Sequence, residues 1–129
     1  MTRYTGPWSP AAVESFLTET RPIRLACHTP AGRLWMLSLW YRYRDGAFHC
    51  ATAADADVVR YLRANDEVAF EVSTNRPPYR GVRGNGTADL APDEGKRVLS
   101  ALVERYLEDT DSDLARWLLS PDREEVHVT

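Results

Sequence analysis

The sequence has little excess charge and no long apolar run. Its sixteen Lys and Arg stand against nineteen Asp and Glu, a net charge of −3. General nucleic-acid binding relies on a strong basic excess, so this balance argues against it. No apolar stretch approaches the roughly 20 residues that a membrane-spanning helix needs. The N-terminus also lacks the basic-then-apolar pattern of a secretory signal. We therefore expect a cytoplasmic protein that binds neither nucleic acid nor membrane.

Cysteine is scarce, and the residues with metal or nucleophile chemistry are poorly placed for it. Cys27 and Cys50 lack Cys-x-x-Cys spacing, and we interpret both as buried, reduced thiols. Each adjoins a histidine, His28 or His49. Neighbouring side chains of a strand point to opposite faces, so neither pair can chelate one ion. No Ser-His-Asp, Cys-His or paired-carboxylate spacing emerges either. We predict no metal site and no catalytic protein group, so any reactive chemistry would belong to a bound cofactor.

The composition that remains is typical of one globular domain, for which we take the full range 1–129. A hydrophobic share of 43% and a charged share of 27% are ordinary for that class. The central element is Leu34–Arg44, rich in Leu, Trp and Tyr, which predicts one long strand. Asp45-Gly46 predicts a two-residue hairpin turn, and Ala47–Thr52 the returning strand. Both faces of the long strand begin apolar, so we expect both to be covered, one of them by a flat ligand or a second subunit.

The other elements are short helices and strands in alternation. Ser9-Pro10 and Asp55 carry N-cap signals and are predicted to begin the first two helices. Glycines within the strand Tyr79–Leu90 predict bulges, a sharp bend or close approach of another group. This order predicts a small α+β domain with a barrel-like core. The remaining predictions are strands at Ile23–Thr29, Glu67–Thr74 and Val126–Thr129, a turn at Pro30–Arg33, a helix at Val98–Leu107, and a helix capped by Asp111 or Ser112 that ends at Pro121.

Four stretches of the sequence resemble one known family. They are LWMLSLWYRYRDGAFHCAT, CATAADADVVRYLRAND, EVAFEVS and PYRGVRGNGTADL, and with the following helix they cover most of Pro10 to Tyr106. They resemble the pyridoxamine 5′-phosphate oxidase-like family, the FMN-binding split β-barrels. The resemblance implies an α+β fold: a split β-barrel of about six mainly antiparallel strands with flanking helices. It also implies a homodimer that holds FMN in a groove between subunits and oxidises or reduces a small molecule.

The same resemblance implies a cofactor site. The segment Trp35–Ser38 would offer backbone groups to the polar edge of the isoalloxazine ring. The segment Cys50–Thr52 would approach the ribityl phosphate, beside the start of a helix whose free N–H groups favour an anion. Three arginines, in that helix and in the glycine-rich strand, are further candidates for the phosphate. The full set of candidates is Trp35, Met36, Leu37, Ser38, Cys50, Ala51, Thr52, Arg60, Arg80 and Arg83.

One pair of positions departs from the family pattern. FMN-binding relatives carry an arginine and, two positions later, a lysine at the start of this helix, where the sequence has Ala56 and Val58. Losing two charge-assisted phosphate contacts, at ~1.5–3 kcal/mol each, predicts FMN binding weaker by about two to four decades. The main hypothesis is an FMN-dependent oxidoreductase. The alternative is a non-catalytic split-barrel dimer that has lost flavin binding, or one that binds a deazaflavin or haem.

Overall fold

The computed structural model describes residues 5–19, 21–107, 112–119 and 125–128. The strands within these ranges are β1 (Ile23–His28), β2 (Leu34–Leu39), β3 (Arg42–Arg44), β4 (Ala47–Ala53), β5 (Glu67–Ser73), β6 (Gly81–Thr87), β7 (Leu90–Pro92) and β8 (Glu125–Val128). The helices are α1 (Pro10–Leu17), α2 (Asp57–Ala64), α3 (Arg97–Tyr106) and α4 (Asp113–Leu118), with a 3₁₀ turn at Glu94–Lys96.

The described strands form two four-stranded antiparallel sheets. The first sheet has the order β2-β1-β5-β6 and the second β3-β4-β8-β7. This architecture confirms the predicted α+β class. The described strands number eight where about six were expected, because two segments that each read as one strand are divided between the sheets.

The predicted long strand Leu34–Arg44 is the first of these divided segments. It breaks at Trp40 and Tyr41, so that β2 joins the first sheet and β3 the second. Tyr41 is fully buried at the crossing, and its hydroxyl donates to the Leu17 carbonyl at 3.1 Å. The prediction of one strand is therefore wrong, since the chain changes sheets at a buried anchor. The Asp45-Gly46 turn that follows is confirmed, with φ values of 53° and 75°.

The helix starts show which capping signals the fold uses. Ser9 caps α1 as predicted, its hydroxyl accepting from Ala12 N at 3.1 Å. The prediction of Asp55 as a cap is wrong, because the N-cap residue of α2 is Ala56 and no side chain hydrogen bond caps it. Ser112 caps α4, which confirms that alternative. The predicted last strand is confirmed as β8, whereas Asp111, Pro121 and Thr129 lie outside the described residues.

The first turn of α3 is satisfied by Asp93, which was not among the predicted caps. Asp93 is buried, and its two carboxylate oxygens accept from Val98 N and Leu99 N, each at 3.0 Å. Its backbone carbonyl also accepts from Lys96 N at 2.9 Å. One side chain thus satisfies two first-turn N–H groups that would otherwise be left without partners in the helix.

Most of the buried side chains lie in one core between the two sheets, with α1 and α2 packed against it. Val13, Phe16 and Leu17 of α1 and Val58, Val59 and Leu62 of α2 belong to this core. A smaller cluster joins Leu99 and Val103 of α3 to Ala115 of α4 and to Trp40. Trp40 stacks on Tyr106 with ring centroids 5.2 Å apart. Trp40, where the chain crosses between the sheets, is therefore held by α3.

Three explanations were predicted for the glycines of the strand Tyr79–Leu90, and the structure confirms one of them. β5 and β6 pair one to one from Glu67↔Thr87 to Ser73↔Gly81, so the pairing has no bulge. A Cβ on Gly81 would lie 2.5 Å from Ser73 Cβ and from Val72 O. A Cβ on Gly84 would lie 3.0 Å from Phe70 Cζ. Close approach therefore explains these two glycines. The predicted strand Tyr79–Leu90 is divided like the first, into β6 and the β7 strand of the second sheet.

We expect Gly81→Ala to lower the free energy of unfolding by about 2 kcal/mol, because the new methyl group meets backbone atoms that cannot rotate away. Gly86→Ala is the matched control on the same strand, since a Cβ there meets nothing within 4 Å. That control is expected to be neutral, or stabilising by about 0.5 kcal/mol through the unfolded chain. Urea unfolding of both variants tests this, and equal losses would contradict it.

Candidate functional site

The turn before β2 fixes which of its backbone groups face outward. Thr29 N donates to Arg33 O at 2.8 Å, and Gly32 N donates to Thr29 O at 2.8 Å. Gly32 has a φ of +80°, the left-handed geometry of a three-residue hairpin loop. The predicted turn at Pro30–Arg33 is therefore confirmed. Because Thr29 and Arg33 form a hydrogen-bonded pair, the pairs along β1 and β2 alternate from that point.

This alternation leaves the backbone of β2 available at an open edge. Among the described residues, β1 pairs with one side of β2 and no strand pairs with the other. The pairs Ala26↔Met36 and Arg24↔Ser38 fall at non-hydrogen-bonded positions of the ladder. Met36 and Ser38 therefore turn their N–H and C=O groups toward the open edge. Two residues assigned to the isoalloxazine ring thus carry the backbone groups that this role requires.

The two faces of β2 differ in their exposure. Trp35 and Leu37 point inward and pack against the main core. Leu34 is 80% exposed and Met36 62%, and Ser38 on the same face is also exposed. The described chain covers the inner face only, and the expectation that a flat ligand or a second subunit covers the outer face of β2 stays a prediction.

Trp35 and Arg60 both contact Tyr61, in the middle of α2. The Trp35 ring meets the Tyr61 ring edge-on, with centroids 5.2 Å apart and planes at 83°. Arg60 Cζ lies 5.2 Å from the centroid of the same tyrosine. The Arg60 guanidinium also pairs with Asp57 in the first turn, Nη2 to Oδ1 at 3.1 Å. Val58 is 1% exposed, so it cannot contact a ligand.

The candidates of β4 lie at different depths. Cys50 is buried, and burial raises the pKa of its thiol to about 12. Ala51 is half-buried against the small cluster of α3 and α4. Thr52 is half-buried near the end of the strand, four residues before the N-cap Ala56, and β4 contacts β2. Of the three, Thr52 is the one placed to offer a polar group beside α2.

Arg80 and Arg83 lie far from these residues within one chain. β6 is at the opposite edge of the first sheet from β2, three strand spacings or about 14 Å away. Arg83 pairs in register with Glu71, on the outer face of the sheet. Arg80 precedes β6, and its Nη2 lies 4.0 Å from Glu19 Oε1 and its Cζ 5.7 Å from the Phe16 ring centroid. The candidate set therefore divides into two separate groups.

Metal-type side chains do not converge in the described ranges, where no group of three or more His, Cys, Asp or Glu could hold an ion. His28 instead contacts Glu67, Nε2 to Oε1 at 3.0 Å across β1 and β5. Every helix within the described ranges is too short or too polar to span a membrane.

Tyr61 is a site residue that was not predicted from the sequence. Its contact joins a helix to a strand 26 positions earlier, from Trp35 to Tyr61, and no sequence period predicts such a pair.

Two antiparallel sheets that share one core, with the chain crossing between them at Trp40 and Tyr41, are the architecture of a split β-barrel. The chain belongs to the pyridoxamine 5′-phosphate oxidase family. The family model described as pyridoxamine 5′-phosphate oxidase matches residues 9–129. The resemblance and the fold that the sequence predicted are thus confirmed. A search of curated proteins found no match.

Solved structures give the same fold. A conserved hypothetical protein of Mycobacterium tuberculosis aligns with a TM-score of 0.76 and 24% identity, over 100% of this chain and 84% of that one. An F420 reductase aligns with a TM-score of 0.71 and 25% identity, over 93% and 94%. The haem storage protein HutZ of Vibrio cholerae aligns with a TM-score of 0.69 and 13% identity, over 93% and 88%.

Proposed function

We propose that this protein is a homodimeric oxidoreductase that binds a flavin-type ring, FMN or the deazaflavin F420, at the open edge of β2 and acts on a small molecule. The observation that carries this proposal is the pair of outward backbone positions, Met36 and Ser38, on an edge that ends beside α2. The polar edge of a flavin ring presents carbonyl acceptors beside an N–H donor. An extended strand edge presents the complementary groups without needing particular side chains.

The residues around this edge suit a bound ring. Trp35 and Tyr61 form an aromatic wall, and Arg60 lies over the tyrosine at the end of that wall. When bound, the ring would supply acceptance or donation of a hydride. The chain would orient the ring through the backbone of Met36 and Ser38 and exclude water with its two aromatic side chains.

The start of α2 fits the phosphate end less well. No side chain hydrogen bond caps its first turn, so an anion would find N–H groups there, and Arg60 adds one cation. Asp57 stands in the same turn and repels an anion. A phosphate monoester such as that of FMN carries nearly two negative charges, so the repulsion by Asp57 is strong. The likeness to an F420 reductase supports F420 over FMN.

The outer face of the first sheet supports the homodimer. Leu34 and Met36 are exposed on it, and two small residues, Ala26 and Ala69, keep its centre flat. A neighbouring row alternates in charge through Arg24, Glu71 and Arg83, which pair across β1, β5 and β6. Such a face offers both apolar and charged contacts to a second copy related by a two-fold axis.

We expect Arg60→Met to weaken binding of F420 and FMN about tenfold, because it removes the one basic side chain identified at the start of α2. Binding of riboflavin, which has no phosphate, should not change. Arg63→Met is the matched control, an exposed arginine on the last turn of the same helix. Calorimetric titration of the purified protein and its variants with the three ligands measures this.

A visible absorption spectrum of the same samples distinguishes the remaining hypotheses. A retained flavin or deazaflavin band supports the proposal, and light scattering should give the mass of two chains. A Soret band after addition of haemin, with no flavin retained, would move the assignment to haem. A protein that retains none of these ligands would be the non-catalytic dimer, a reading that the buried Val58 and the uncharged Ala56 favour.

A further inference from the structure

A second concave region lies along the β6 edge of the first sheet, which is the edge opposite β2. It is a groove of about 1520 Å³ between β6 and the β3–β4 hairpin. Small-molecule sites usually have volumes of about 300–1,000 Å³, so the groove is large enough for such a ligand. One end is bounded by Trp8 and the loop before β6, and the other by Ala88 and Asp89. None of Trp35, Met36, Ser38, Thr52 or Arg60 lines it.

The walls of the groove carry a row of aromatic rings. Tyr43 and Phe48 meet with centroids 5.0 Å apart, and Phe48 and Phe70 with centroids 4.8 Å apart. All three side chains are half-buried, so each keeps part of its apolar surface open toward the groove. Rings left partly exposed in this way offer stacking and edge contacts to a planar apolar molecule.

The strand along the other side of the groove leaves room for such a molecule. Gly84 and Gly86 share the inner face of β6 with Val82, because they pair with Phe70 and Val68 of β5. The Phe70 ring leaves no room for a side chain at Gly84, whereas a Cβ on Gly86 would meet nothing within 4 Å. The space beside Gly86 is therefore part of the open groove. The packing of the described chain does not itself require a glycine at this position.

Arg80 lies at one end of the groove, where its guanidinium is only loosely paired. Glu19 pairs with Arg21 and, at 4.0 Å, with Arg80, so two guanidinium groups share one carboxylate. The distance to Arg80 is too long for a hydrogen bond, and this side chain is 55% exposed. Arg80 lines the groove, where its guanidinium can reach an anionic group.

We propose that this groove is a second binding site, which takes a planar, largely apolar molecule carrying one anionic group, such as an aromatic carboxylate or sulfonate. The Tyr43, Phe48 and Phe70 rings would contact its apolar part, and Arg80 its anionic group. The proposal does not depend on the cofactor, because the two sites share no proposed contact. It also gives Arg80 a role apart from the β2 edge.

Anilinonaphthalene sulfonate, a planar apolar anion that fluoresces on leaving water, is a suitable probe. We expect the folded protein to bind it saturably, with one molecule per chain. Arg80→Met should weaken this binding about tenfold and leave unchanged the binding of N-phenylnaphthylamine, which has no charge. Arg33→Met, at an exposed arginine in the β1–β2 turn, is the control and should change neither. Gly86→Leu should weaken binding of both probes about tenfold or more, because its side chain occupies the open space on the inner face of β6 that faces the groove.

Two further measurements keep the test decisive. In the unmutated protein, the amide resonances of Gly84 and Gly86 should shift on titration with the sulfonate, and that of Gly32 should not. Saturating FMN or F420 should leave the titration unchanged, whether or not either cofactor binds. Non-saturating binding, full binding to a cooperatively folded Gly86→Leu variant, or displacement by the cofactor would overturn the proposal. Failure to bind any cofactor would overturn only the function proposed for the β2 edge.

Discussion

Arg105→Met is expected to lower the free energy of unfolding by about 3 kcal/mol. The Arg105 side chain closes the end of α1, where the last carbonyls of a helix have no partners within it. Its Nη2 donates to Leu17 O at 3.0 Å and to Glu19 O at 2.9 Å, and its Nη1 donates to Thr18 O at 3.2 Å. Hydrogen bonds from a charged donor are worth about 1.5–3 kcal/mol each, before the cost of burying the donor.

The same guanidinium connects three parts of the fold. Its Cζ lies 5.1 Å from the Tyr41 ring centroid and 5.4 Å from that of Tyr106, so it packs at the sheet crossing as well as at α1. The buried Nε atom has no hydrogen-bond partner in the described chain, which offsets part of the gain. Methionine would keep most of the apolar contact and lose every donor. The expected loss is therefore mainly that of the carbonyl bonds.

Urea unfolding measures this effect, with Arg97→Met as the matched control. Arg97 is the first residue of the same helix and is exposed, so its replacement should change stability by less than about 0.5 kcal/mol. Arg105→Lys should fall between the two, because one ammonium group cannot serve three carbonyls in fixed directions. A loss below about 1 kcal/mol for Arg105→Met would mean that water satisfies the end of α1 equally well.

Local signals predicted the turns and two of the four helix caps. The Asp45-Gly46 turn and the Ser9 cap depend on residues adjacent in sequence, and both are as predicted. The division of Leu34–Arg44 was not predictable in this way. Trp40 and Tyr41 are good strand formers, and they leave the strand because α1 and α3 supply their partners, Leu17 and Tyr106. Contacts with residues 24 and 65 positions away override the local preference.

The candidate site shows the same limit in another form. The residues themselves came from a resemblance in sequence, but their grouping depends on the strand order β2-β1-β5-β6. β5 pairs with β1 after two intervening elements of the second sheet, and this pairing carries β6 and its arginines to the far edge. The alternation that turns Met36 and Ser38 outward is likewise set by the turn at Gly32. Neither the strand order nor this alternation can be predicted from the segment Trp35–Ser38 alone.

A second large effect is expected at alkaline pH, from the thiol of Cys50. Burial raises its pKa from the usual 9.0 to about 12 in the folded protein. Above pH 9 the thiol of the unfolded chain therefore loses its proton while the folded one keeps it. The free energy of unfolding therefore falls as the pH rises from 9 toward 12. Below pH 9 the thiol is protonated in both states, and this loss is absent. Each pH unit costs up to about 1.4 kcal/mol, so the whole window costs about 4 kcal/mol.

Two other groups contribute in the same direction and need separating from Cys50. Burial also raises the pKa of the Cys27 thiol, and it raises that of the Tyr41 phenol to about 12. Tyr41 begins to act near pH 10, the usual value for a phenol, so the interval from pH 9 to 10 reports on the thiols. Urea unfolding under a thiol reductant at pH 8, 9, 10 and 11 would resolve these steps.

Cys50→Ala assigns the effect to one residue. The variant is expected to lose about 1 kcal/mol at pH 8 through lost packing, and then to show a much flatter decline between pH 9 and 10 than the unchanged protein. Cys27→Ala is the matched control and should retain most of the decline. An identical slope in Cys50→Ala would mean that its thiol titrates alike in both states. It would then have to be reached by water on β4, beside Ala51 and Thr52, where the ribityl phosphate was expected.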